Sequence, residues 1–262
     1  MTDASRGAAV RTEAARPSVL VLLPAALGLG WNAAAGPHPW DAGELVGAAA
    51  CLGGSHAPGQ PLHALLGWGA THLFPLGSMP WRLSLLSTAL AALAAYAAGA
   101  TAGELLPERA AGPRWRAPLV VNATAVGVLL SPPLLRQAAR PEVYALALCL
   151  FGFGALALVR WARPGGRRSL GALLPAALAA GLLFGVHPPH ALALTLCGIA
   201  LVTVWRRDAL RSPRAFVLSF AFGVLGTSVV AYLPLRAHAG APMWGDPTSL
   251  DGFVAYVTAR AY

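Results

Sequence analysis

The chain has 262 residues, of which 56% are hydrophobic and only 11% charged, and its mean hydropathy is +0.60. That is too apolar for an ordinary soluble domain and reads as an all-α polytopic membrane protein. The formal net charge of +9 does not indicate a nucleic-acid binder, because the nineteen basic residues, all arginine, fall in short clusters between apolar runs.

Apolar runs near 18–35, 80–103, 117–134, 142–161, 170–187, 190–205 and 215–234 predict about seven transmembrane helices, several of them at the short end of what a bilayer requires. The first run, preceded by Arg6, Arg11 and Arg16 and followed by "NAAAG", also has the outline of a signal peptide. The stretch "LHALLGWGATHLFPLG" at 62–77 competes as an eighth span, but it is short and carries His63 and His72, which predicts an interfacial or re-entrant helix. Seven spans put fourteen of the nineteen arginines on one face, which the positive-inside rule makes cytoplasmic. An eighth span would set the N-terminal three against the rest. The expected layout is therefore a cytoplasmic tail at 1–17, a membrane domain at 18–234 with a large first external loop at 36–80, and an external segment at 235–262. The arginine-only basic set and the heavy Ala, Gly and Pro content look like a GC-rich genome, and the expected location is a bacterial plasma membrane.

This layout gathers His38, His56, His63, His72, His187, His190 and His238 on or near the outer face, with Asp41, Glu44, Glu142, Asp246 and Asp251 and with Arg82, Arg136, Arg140, Arg236 and Arg260. External loops have to be polar in any case, but ionisable groups at span mouths among aromatics point to a site. In "HPWDAGELVGAAACLGG", Asp41 falls at or near a helix N-cap and Glu44 three residues later, so both carboxylates share a face. They can cap the helix, or act as a general base with a supporting acid; the two roles can coexist. "SHAPGQPLH" puts His56 in a tight turn, as an anion or metal ligand or as a hydrogen-bonded structural residue. In "GVHPPHA" the proline pair is expected to stop His187 and His190 from acting as helix-spaced ligands. Cys51, Cys149 and Cys197 show no paired spacing, and no nucleotide, zinc-protease or hydrolase-elbow motif occurs, so neither a cofactor nor a metal is expected.

Four segments in order carry a resemblance: "WDAGELVGAAACLGGSHAPGQPLHALLG" at 40–67, "WRLSLLSTALAAL" at 81–93, "RQAARPEVYALAL" at 136–148 and "YLPLRAHAGAPMWGDPTSLDGFVAYVTARAY" at 232–262. They resemble the domain-of-unknown-function family that includes the eukaryotic protein O-mannosyltransferase acting on IPT domains, within the GT-C glycosyltransferase superfamily. The resemblance implies an inverting membrane enzyme that takes a sugar from a polyprenyl-phosphate donor to a protein or glycan acceptor. By motif match Asp41 is the base and Glu44 its support. Arg236 and His56 would bind the donor phosphate, while Glu142, His187, Trp244 and Asp246 would line the cavity. The chain stops at Tyr262, where relatives continue, which reads as a fragment or as a reduced member that is inactive or partner-dependent. A transporter is the alternative from another class, disfavoured because no acid sits at the centre of an expected span and no internal repeat is visible.

Overall fold

The computed structural model describes residues 15–36, 39–106, 113–163 and 170–260. Arg6, Arg11, Arg109, Arg167, Arg168, His38 and most of the N-terminal tail lie outside the described residues. In chain order the helices are α1 (Val19–Trp31), α2 (Ala42–Cys51), α3 (Pro61–Leu73), α4 (Met79–Leu105), α5 (Arg116–Leu129), α6 (Pro132–Ala138) and α7 (Val143–Ala162). They continue as α8 (Leu170–Phe184), α9 (Pro188–Trp205), α10 (Pro213–Thr227), α11 (Tyr232–His238) and α12 (Leu250–Val257), with 3-10 turns at Arg207–Arg211 and Ser228–Ala231. Among the described residues there is no strand, and one isolated parallel bridge joins Gly54 to Met243.

Helices occupy all seven expected runs, but not all are long enough to cross a bilayer unaided. Four stretches are: α4, α7, α9 and the continuous Pro213–His238; α5 with α6 makes a fifth if that pair, bent by 62°, is one span. At 1.5 Å per residue the thirteen residues of α1 reach about 20 Å, against a hydrocarbon core of about 30 Å. The same arithmetic keeps α3, also thirteen residues, from crossing. Proline sets these boundaries: Pro61, Pro80, Pro132, Pro188 and Pro213 stand in the first turn of their helices, where a missing N–H costs nothing.

The bundle closes through small residues. Ala91, Ala95, Ala97 and Ala100 of α4 are fully buried against α5 and α7. A methyl group on Gly181 of α8 would lie 2.1 Å from the Gly223 carbonyl oxygen of α10, so the two backbones touch as glycine alone permits. By contrast Leu192, Leu196, Phe216, Val217 and Phe220 on the outer faces of α9 and α10 are exposed, as lipid-facing surface requires.

Cross-chain contacts define two ends. At one, Glu104 at the end of α4 meets Arg160 and Arg163 at the end of α7, and Arg206 after α9 donates to the Trp161 carbonyl. At the other, Ala34 after α1 bonds Ala139 after α6, Ser84 of α4 donates to the Ala34 carbonyl, and Arg236 of α11 reaches the carbonyl end of α2. The chain is thus an integral membrane protein with its chemistry-bearing residues divided between the ends of one bundle.

Candidate functional site

Asp41 is the N-cap residue of α2, as its sequence position predicts, but its side chain accepts no capping hydrogen bond. Glu44 does not cap either. Its Oε1 accepts the backbone N–H of His56 at 3.0 Å and also contacts His56 Nδ1 in a short side-chain hydrogen bond. The other ring nitrogen, His56 Nε2, lies 3.9 Å from Asp41 Oδ2. One imidazole is therefore set between two carboxylates from the first turn of α2. With Nδ1–H donating to Glu44, a neutral ring would carry its lone pair on Nε2, facing Asp41. The Asp41 side chain is 51% exposed and that of His56 29%, so the group opens to solvent.

The first turn of α2 is fixed from below. Leu45, 1% exposed, belongs to the apolar cluster that contains Val143 and Leu146 of α7, Leu183 of α8, and Val186. The turn that carries His56, with its cis Ala57–Pro58 bond, is held from the far end of the chain. Tyr232 Oη donates to the Gly53 carbonyl at 3.0 Å, Gly54 N donates to the Pro242 carbonyl at 2.9 Å, and Tyr256 Oη donates to the Ser55 carbonyl. Ser55 Oγ in turn donates to Gln60 Oε1. The residues quoted from the tail of the sequence thus brace the His56 turn. Reading by residue type missed Tyr232 and Tyr256, whose roles exist only across the fold.

The other expected site residues are placed less directly. Arg236 donates through Nε to the Leu52 carbonyl at 2.9 Å and through Nη2 to the Cys51 carbonyl at 3.3 Å, which closes the C-terminal end of α2. That end is about 15 Å from Asp41 along the helix, so Asp41 and Arg236 do not touch. Between them Gly43 and Gly47 share a face of α2 at helical spacing, and a methyl group on either would meet nothing within 4 Å. Glu142, 3% exposed, pairs with Arg140 at 3.3 Å at the start of α7. Trp244 is 62% exposed, and Asp246 turns its carboxylate onto the backbone and hydroxyl of Thr248, hydrogen bonds that hold it below the ordinary carboxylate range.

His187 and His190 depart from expectation. The proline pair opens α9 instead of separating the rings, with His187 as N-cap and His190 in the first turn, and their Nδ1 atoms are 2.6 Å apart. Tyr144 of α7 packs on His187 at a centroid distance of 5.4 Å. No group of three or more His, Cys, Asp or Glu side chains able to hold a metal occurs among the described residues. His63 on α3 is fully buried, and burial pushes its pKa down to about 4.

Residues 41–212 match the family model described as the protein O-mannosyl-transferase TMEM260 N-terminal domain. The chain is 29% identical over 227 residues to the protein O-mannosyl-transferase TMEM260 of Mus musculus, an alignment covering 85% of this chain and 31% of that protein. The chain therefore spans about a third of the length of this curated relative. No solved structure matches.

Proposed function

The chain belongs to the family of the protein O-mannosyl-transferase TMEM260 N-terminal domain, and from that premise we propose that it is the catalytic membrane part of a glycosyltransferase. In this reading a polyprenyl-phosphate sugar is the donor and a protein hydroxyl the acceptor. The observation that carries it is the placement of His56 between Glu44 and Asp41 at the open end of the bundle.

The acceptor oxygen attacks C1 of the sugar while Asp41 removes its proton, and the bond from C1 to the phosphate oxygen breaks with inversion. Asp41, now protonated, passes that proton to Nε2 of His56, and Glu44 stabilises the imidazolium so formed. Asp41 returns to the carboxylate state, and His56, which is open to solvent, gives the proton to water before the next turnover. The 3.9 Å separation has to shorten by about 1 Å for this transfer, a tightening common between resting and reactive geometries. His56 is thereby assigned to the proton path in preference to the phosphate. The bare Gly43–Gly47 face leaves room for a sugar against α2, and for Arg236 to meet the leaving phosphate at C1 its guanidinium has to swing from the Cys51 and Leu52 carbonyls toward Asp41.

The reading puts this end on the external side of a bacterial plasma membrane, with the N-terminus cytoplasmic, in keeping with the arginines at the opposite end. Its test is transfer by purified protein in lipid nanodiscs given a polyprenyl-phosphate mannose and an acceptor peptide. Asp41→Asn keeps the size of the side chain and removes the proton acceptor, so donor binding should persist while transfer falls by about a hundred- to ten-thousand-fold. Transfer at the unaltered rate by Asp41→Asn removes Asp41 as the base.

A further inference from the structure

Toward the end of the bundle remote from Asp41, α7, α8, α9 and α10 leave a groove of about 480 Å³ that opens on the lipid-facing surface through Ile199, Phe216 and Phe220, within the size range of small-ligand sites. Its walls include Leu173, Leu194, Ile199, Phe216 and Phe220, and its polar lining includes Trp161 and Ser219. Both of these hold a buried polar atom with no hydrogen-bond partner, Trp161 Nε1 and Ser219 Oγ, and Trp161 is only 1% exposed. Unpaired buried donors in an apolar groove call for an oxygen acceptor that arrives with an otherwise apolar molecule.

The rim is cationic, and part of it is unused. Arg206 is spent: it stacks on the Trp161 ring at 4.4 Å and holds both oxygens of Asp208. Arg207 donates to the Thr203 carbonyl. Arg211 and Arg214, which lie between the lining residues Ala209 and Ala215, are exposed and have no hydrogen-bond or ion-pair partner among the described residues.

We propose that this groove binds an anionic glycerophospholipid, with an acyl chain between α8, α9 and α10, an oxygen of the lipid on the Trp161 indole N–H, and the phosphodiester on Arg211 and Arg214. An acyl chain gains little by leaving the bilayer for an apolar groove, so the choice of lipid rests with the headgroup. Phosphatidylcholine has the same phosphodiester but adds a quaternary ammonium that offsets its charge beside the arginines, so each arginine favours the net-anionic lipid by about fivefold, and two by about thirtyfold.

The experiment is native mass spectrometry of the full chain titrated with phosphatidylglycerol and phosphatidylcholine of identical acyl composition. The expected result is retention of phosphatidylglycerol about thirtyfold better than phosphatidylcholine, with near parity in Arg211→Gln/Arg214→Gln. Trp161→Phe keeps an aromatic ring under Arg206 but removes the indole N–H along with the pyrrole part of the ring; both losses are uncharged, so it should weaken both lipids and leave their ratio unchanged. Parity in the unaltered chain overturns the proposal, as does an unchanged preference in the double arginine variant. Copurification of another protein's transmembrane segment that neither lipid displaces also overturns it. The readout is independent of sugar transfer, so it stands or falls apart from the proposed activity.

Discussion

Two carboxylates at opposite ends of the bundle, Glu104 and Asp41, are held in opposite ways. At the arginine-bearing end Glu104, 8% exposed, accepts both Arg160 and Arg163 at 2.8 Å, and Arg206 is shared between Asp208 and the face of Trp161. Glu104 is buried and closely paired with Arg160 and Arg163, which is how ionic contacts serve structure. At the other end Asp41 is half exposed, accepts no capping bond and faces His56 across 3.9 Å. A carboxylate held in place but left underused is available for proton transfer. Pairing and burial, more than the mere presence of ionisable residues, separate a scaffold from a candidate site.

That contrast can be broken from either side. Glu104→Ala strands two arginines and should cost about 3 kcal/mol of stability, at the low end for a disrupted buried pair because the arginine heads are partly exposed. Thermal unfolding in detergent should show the loss, while the folded fraction keeps its transfer rate. His56→Gln should do the reverse. It removes the proposed proton path but not the backbone bond from residue 56 to Glu44, so the rate should fall by about a hundredfold with little change in unfolding. Equal losses of stability in the two variants would erase the distinction drawn between the ends.

The start of α2 at Asp41, the pairing of its two carboxylates on one face and the segregation of most arginines from the histidines were legible in sequence, because each rests on local spacing or on a pattern repeated along the chain. The brace on His56 was not. Tyr256 reaches Ser55 across 201 positions and Arg236 reaches Leu52 across 184, distances at which no periodicity operates. Glu104 gave no local sign of its partners, since its bond to Arg160 spans 56 residues. The spans read long because hydropathy counts apolar residues in extended links, such as Ala33, together with those in helices. The meeting of His187 with His190 escaped because Pro188–Pro189 reads as a breaker, whereas at a first turn proline starts a helix.

His63 sharpens the comparison through pH. Its folded pKa, about 4, is below the 6.5 of the unfolded chain, so the unfolded state takes up protons first as pH falls. Stability is full above 6.5 and declines as the pH falls toward 4. Between pH 7 and pH 5 the loss should be about 2 kcal/mol. His63→Leu, close in volume and without a titrating group, should flatten this part of the stability profile. An unchanged slope would mean that some other group controls it.

The smallest effect is expected from the brace itself. Tyr256→Phe deletes one hydroxyl from a residue 5% exposed and leaves the ring packed on Val230 and Leu233, so the apolar cluster survives. The Ser55 carbonyl loses its donor, which should cost about 1 kcal/mol. If the brace only stabilises, the transfer rate of the folded protein stays unchanged. If it aims His56, the rate falls while the KM for donor holds, because the turn shifts relative to Glu44 and Asp41 without disturbing the Gly43–Gly47 face. The second outcome is expected, since Ser55 directly precedes the histidine whose two ring nitrogens face the two carboxylates. An unchanged rate in a normally folded Tyr256→Phe variant would reduce the tail segment to a structural strap.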